Sequence, residues 1–184
     1  MARDRLWSER GRRTEKAEDI EMKRLVNLLA LLVAVAVVAG PLVAQDSVTA
    51  TSFVGTWKLN VAKSKYEGVP PAKSLTRTVT AEGGGLKYSF EGEAADGSKI
   101  SYSFTSKLDG SDSAVSGVGM TGGVDSVALQ RTSAHKMVGV LKKGGEKIGT
   151  AVAALSMDQK TVTVNTKLKI DGKEVKAEQV YEKQ

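Results

Sequence analysis

From Phe53 onward, apolar and polar residues alternate with a period of two. That is the repeat of a half-buried β-strand, and it excludes an amphipathic helix as the main building unit. Leu75, Arg77, Val79 and Ala81 alternate with Thr76, Thr78 and Thr80. Leu86, Tyr88 and Phe90 then Ile100, Tyr102 and Phe104 repeat the pattern, as do Val127, Leu129 and Arg131. The late runs are residues 135–141, 148–155, 162–170 and 175–181. Turn signals separate them: Gly83-Gly84-Gly85, Asp96-Gly97, Asp109-Gly110, Lys142-Lys143-Gly144-Gly145, Met157-Asp158-Gln159-Lys160 and Asp171-Gly172. Residues 61–66 hold one helical turn before Pro70-Pro71, and the Gly- and Ser-rich stretch 111–123 gives a short irregular strand near 114–118. The succession of hairpins predicts an all-β domain over residues 53–184. Its expected form is a single up-and-down antiparallel meander of about 8–10 strands, closed into a barrel because closure removes the edge strands.

The first 44 residues differ in kind. Residues 1–21 carry six basic and six acidic side chains and read as a mis-assigned or disordered extension. Met22-Lys23-Arg24 then opens a run, residues 25–39, that is apolar except for Asn27. Gly40-Pro41 breaks the run before Leu42-Val43-Ala44-Gln45. A basic start, an apolar centre and a small residue at the exit predict a helical secretory signal over 22–44, cut after Ala44. The other reading is a membrane anchor, since residues 25–44 are just long enough to span a bilayer core. Both place the barrel outside the cytoplasm, periplasmic or extracellular. Residues 45–52, small and polar, are expected to form a flexible leader.

Beyond Ala44 the chain carries 19 basic and 15 acidic residues, interspersed and without a basic run. This is a solvated surface rather than a nucleic-acid footprint. The chain has no cysteine, so disulfides, a cysteine-linked lipid anchor and a His/Cys metal site are all excluded. No cofactor is implied, and the domain is expected to be a monomer. His135 is the one histidine, in an expected turn after Ser133-Ala134, and nothing near it supplies the nucleophile and orienting group of a catalytic triad. No enzyme is expected. The stretch from Gly117 to Gly123 lacks the Lys-Ser/Thr ending and strand–helix context of a phosphate loop.

Arginine usage singles out two positions. Beyond Ala44 there are 17 lysines but only two arginines, Arg77 and Arg131. Lys87, Lys99, Lys107, Lys167 and Lys169 fall on the polar parity of their strands, whereas both arginines fall on the apolar parity. Arginine suits a partly buried, bidentate role. Both guanidinium groups are therefore expected to point inward, either stacking on Trp57 or pairing with a buried carboxylate, or receiving the head group of an anionic amphiphile. Tyr88, Phe90, Tyr102, Phe104 and Tyr181 share the inward parity. Ile148, Thr150, Val152 and Ala154 are read as a small-to-medium inward face, which in a barrel of this size leaves room for a cavity.

Phe53-Val54-Gly55-Thr56-Trp57-Lys58-Leu59 resembles the opening strand of the intracellular fatty-acid-binding proteins, and its Gly-Thr-Trp resembles the lipocalin signature. Val180-Tyr181-Glu182-Lys183 resembles the end of the last strand of the former family. The chain beyond the signal also resembles bacterial exported lipocalin-like proteins. The resemblance implies a barrel around an internal apolar site, with Gly55 and Trp57 forming its structural base. Two departures stand out. Residues 60–74 are too short for the helical lid of the fatty-acid carriers, and Gln179 occupies the position of their ligand-holding arginine. The candidate ligand contacts are thus Arg77, Arg131, Tyr88, Phe90, Tyr102, Phe104, Tyr181 and Gln179. The expected function is non-covalent binding of a small apolar or amphipathic molecule, fatty-acid-like in chemistry. The alternative is a filled structural or interaction domain of the cell envelope.

Overall fold

The computed structural model describes residues 50–184; the signal segment and extension expected over 1–44 lie outside the described residues. The expected leader ends in a 3₁₀ turn, Ala50–Phe53. Twelve strands follow: β1 (Gly55–Leu59), β2 (Lys65–Glu67), β3 (Ser74–Glu82), β4 (Gly85–Glu93), β5 (Lys99–Ser106), β6 (Asp109–Ala114), β7 (Ser116–Val118), β8 (Ser126–Ser133), β9 (Lys136–Lys143), β10 (Glu146–Leu155), β11 (Thr161–Ile170) and β12 (Lys173–Lys183). All pairings are antiparallel. The all-β barrel follows the expected class, with more strands than the 8–10 expected. The excess comes from two places where the meander is broken.

The first is β2. A 3₁₀ turn at Val61–Lys63 is capped by the Asn60 side chain, whose Oδ1 accepts from the Lys63 amide at 3.1 Å. The Ser64 hydroxyl donates to the Asn60 carbonyl at 2.7 Å and accepts from the Val180 amide at 3.0 Å. These bonds pin the chain to β12, so that residues 65–67 pair with Lys176, Ala177 and Glu178 where β1 has already ended. The second is the Gly- and Ser-rich segment. Its first half, β6, pairs with β8, and its second half, β7, pairs with β5. The ladder runs β6–β8–β9–β10–β11–β12–β1–β3–β4–β5–β7, and its two ends are halves of one segment separated only by Val115. That segment closes the ring. The turn expected at Asp109-Gly110 falls two residues earlier, at Lys107-Leu108, with Leu108 at φ 63.

One end of the barrel is solid. Phe53 and Trp57 are 0% exposed, and the indole Nε1 donates to the Phe53 carbonyl at 3.0 Å. Val79, Leu86, Leu155 and Val162 are buried in the same core. The Lys183 ammonium lies 5.3 Å from the Trp57 ring, so a lysine takes the stacking place that was expected for an arginine. Gly55 makes room for it: its φ is +139, and a Cβ there would sit 3.2 Å from the Lys183 Cε.

Strand β10 reverses its expected parity. The register shifts between Lys147 and Gly149, and Ala151 and Ala153 reach the cavity where Thr150, Val152 and Ala154 were expected. The cause is the bulge, which adds one residue to β10 and turns every later side chain to the other face. At this point a Cβ on Gly149 would collide with the Lys167 carbonyl and the Leu168 side chain. Gly149→Ala is therefore expected to destabilise the barrel by about 2 kcal/mol or more, read from the midpoint of a denaturant melt; an unchanged midpoint would contradict this packing.

Candidate functional site

The half of the barrel away from Trp57 holds a cavity of about 620 Å³. Its walls differ in character. On β4 and β5, aromatic rings form a ladder: Phe90 stacks on Tyr102 at 4.5 Å, Tyr88 on Phe104 at 4.9 Å, and Phe90 lies 6.3 Å from Phe104. These contacts follow from strand register, since Tyr88 faces Phe104 and Phe90 faces Tyr102 across the β4–β5 ladder. The other wall, on β10 to β12, sets the small Ala151, Ala153, Val164, Thr166 and Ala177 among the larger Leu168, Val175, Gln179 and Tyr181. Side chains this small cannot reach across a ring of this size. The mouth is bordered by Val69, Pro70 and Ala72 between β2 and β3, by the 94–96 turn, and by Gly119, Met120 and Thr121.

Of the candidate contacts, Arg77, Tyr88, Phe90, Tyr102, Phe104, Gln179 and Tyr181 all line the cavity. Arg131 does not. It sits near the closed end of β8, where its Nε donates to the Ser133 carbonyl at 3.1 Å. The structure therefore separates the two arginines, and an inward pair is not formed. Val127 and Leu129 line the cavity from β8, as does Met137 across the ladder from Arg131, whereas the Arg131 side chain is taken up by the Ser133 carbonyl beside the β8–β9 turn. Gly55 and Trp57 also lie outside the cavity wall. His135 occupies the β8–β9 turn, likewise away from the cavity. Among the described residues no group of three or more His, Asp or Glu could hold a metal ion.

Arg77 is the polar centre of the interior. It is 4% exposed and pairs with Trp57 on one side and Phe90 on the other, in the middle of β3. Its guanidinium carbon lies 5.2 Å from the centre of the Tyr88 ring. Its Nε is buried without an acceptor, and among the described residues no carboxylate forms an ion pair with it. The Tyr88 hydroxyl donates to the Met137 Sδ at 3.3 Å. The Tyr66 hydroxyl, carried inward by β2, is buried without a partner. Sequence periodicity did not point to Tyr66, because a three-residue strand offers no alternation to read.

Burial raises the phenols of Tyr88, Tyr102 and Tyr181 above the ordinary value, and the nearby Arg77 charge only partly offsets it. Around Tyr181, the neighbouring Tyr102 and Tyr66 add to the rise. At neutral pH these three groups are uncharged hydrogen-bonding phenols. No family model and no curated protein sequence matches this chain. Among solved structures it is similar to zebrafish ileal bile acid-binding protein in complex with cholic acid, at 11% identity and a TM-score of 0.45, over 72% of this chain and 99% of that one.

The raised phenols have a consequence for stability. The unfolded chain releases such protons near the ordinary value of 10.0, whereas the folded barrel keeps them. Their contribution is whole below that pH and declines as pH climbs from there toward the folded-state values. Alkaline denaturant melts are expected to show unfolding free energy falling above about pH 10, with a shallower fall in Tyr181→Phe. An identical slope in that variant would contradict the assignment.

Proposed function

We propose that residues 53–184 form an exported barrel that binds one small apolar or amphipathic molecule non-covalently in its interior. The observation that carries this reading is the cavity of about 620 Å³, which is apolar on most of its wall and carries a few convergent polar groups. Natural small-molecule sites occupy roughly 300–1,000 Å³ and share that character. A domain with a filled core would instead have large side chains where Ala151, Ala153 and Ala177 stand. Export rests on the basic, apolar and small-residue succession of residues 22–44.

We read the site as one for binding rather than turnover. Phenols held neutral and a guanidinium can orient a ligand, but they offer no base matched to neutral pH. The acidic group nearest the cavity, Asp96, accepts from the Ser98 amide at 2.9 Å and the Ser98 hydroxyl at 2.7 Å within its own turn.

Titration with a neutral naphthylamine dye, followed by fluorescence, tests the reading. One dye molecule is expected to enter each barrel with enhanced emission. Ala153→Phe, which fills the cavity from its small wall, is expected to weaken uptake by roughly tenfold, about 1.4 kcal/mol. Absence of uptake by the folded protein would refute the reading.

A further inference from the structure

We propose that Arg77 decides what the barrel accepts: an amphiphile with a single acidic head group, seated head first so that the acid meets the guanidinium. The proposal rests on the binding reading above and names the chemistry of that same site.

The argument begins with charge. Among the described residues, three ionised side chains line the cavity: Arg77, Asp96 and Lys176. Lys176 is engaged outside, at 3.1 Å from Glu174 and 3.6 Å from Glu67, and Asp96 is engaged with Ser98. That leaves the Arg77 charge without a counter-ion among the described residues. The phenols around it cannot serve as counter-ions, because a phenol is uncharged at neutral pH and burial only moves it further from ionising. A cation buried against an aromatic ring but without a counter-ion is a cost to the empty fold, which an apolar side chain at this position would avoid. An anion entering the cavity removes that cost and gains charge-assisted hydrogen bonds.

Geometry then gives direction and stoichiometry. Leu75 lies toward the mouth from Arg77, and Val79 lies beyond it in the solid end. The head group therefore goes inward and the apolar body remains among Leu75, Ile100, Leu168 and Val175. One guanidinium matches one negative charge. The buried, unpartnered Tyr66 hydroxyl supplies a further donor to the same cavity. The site is also not where the family resemblance would put it, since the last strand presents the neutral Gln179 and the charge stands on β3 instead.

The test compares dodecanoate, methyl dodecanoate and the neutral naphthylamine dye by titration of the purified protein, wild type and Arg77→Met. The wild type is expected to bind the acid on the order of 10- to 100-fold more tightly than the ester. In Arg77→Met that ratio is expected to fall toward one, while the thermal midpoint of the empty protein stays level or rises. Equal affinity for acid and ester in the wild type overturns the proposal. So does a ratio that survives in Arg77→Met, and so does a variant that melts lower or fails to fold, because Arg77 would then be holding the empty barrel together. Uptake of the dye with no preference for the acid defeats this proposal alone; absence of uptake of all three defeats the binding reading as well.

Discussion

Residues 109–118 serve two edges of the sheet at once, and the rest of the molecule depends on that. An eleven-strand ladder left open would present two rows of unpaired amides and carbonyls, which invite pairing with other chains. Here β6 satisfies β8 and β7 satisfies β5, with a change of partner at Val115, whose amide donates to the Asp125 carbonyl. Glycine at 117 suits the crossing, because a Cβ there would collide with the Ser101 carbonyl of β5. Closure fixes the circumference of the ring, and the circumference fixes how far inward side chains must reach.

The chain meets that demand at one end only. Phe53, Trp57, Leu86 and Val162 fill the closed end, whereas alanines face aromatic rings across the other half. The resulting void is what isolates Arg77. In a filled core its guanidinium would need a carboxylate partner, but here it faces open space and neutral phenols. Cavity and charge are therefore one feature seen twice, since the space that admits a ligand also leaves the cation, stacked on the Tyr88 ring, without a counter-ion among the described residues.

Much of this was legible in the residues themselves. Period-two runs and Asp-Gly turns located the long strands, because alternation and hairpin geometry are local properties. Tyr88, Phe90, Tyr102 and Phe104 fell on the inward face for the same reason. Reading failed where a local rule was interrupted. The bulge at Lys147–Gly149 exchanged the two faces of β10, so Ala151 and Ala153 took the place given to Thr150, Val152 and Ala154. Parity also treated Arg77 and Arg131 alike, although one stands in the middle of a strand and the other near its end.

By itself, then, the sequence determined the all-β class, the antiparallel hairpins, the buried Trp57 and the inward parity of Arg77. Each depends on neighbours within a few residues. Only the tertiary structure decided that residues 109–118 close the ring, that β2 carries Tyr66 inward, and that Arg77 meets no counter-ion among the described residues. Those outcomes depend on which distant strands meet and on how much space remains once every inward side chain has been placed, and no local pattern carries that sum.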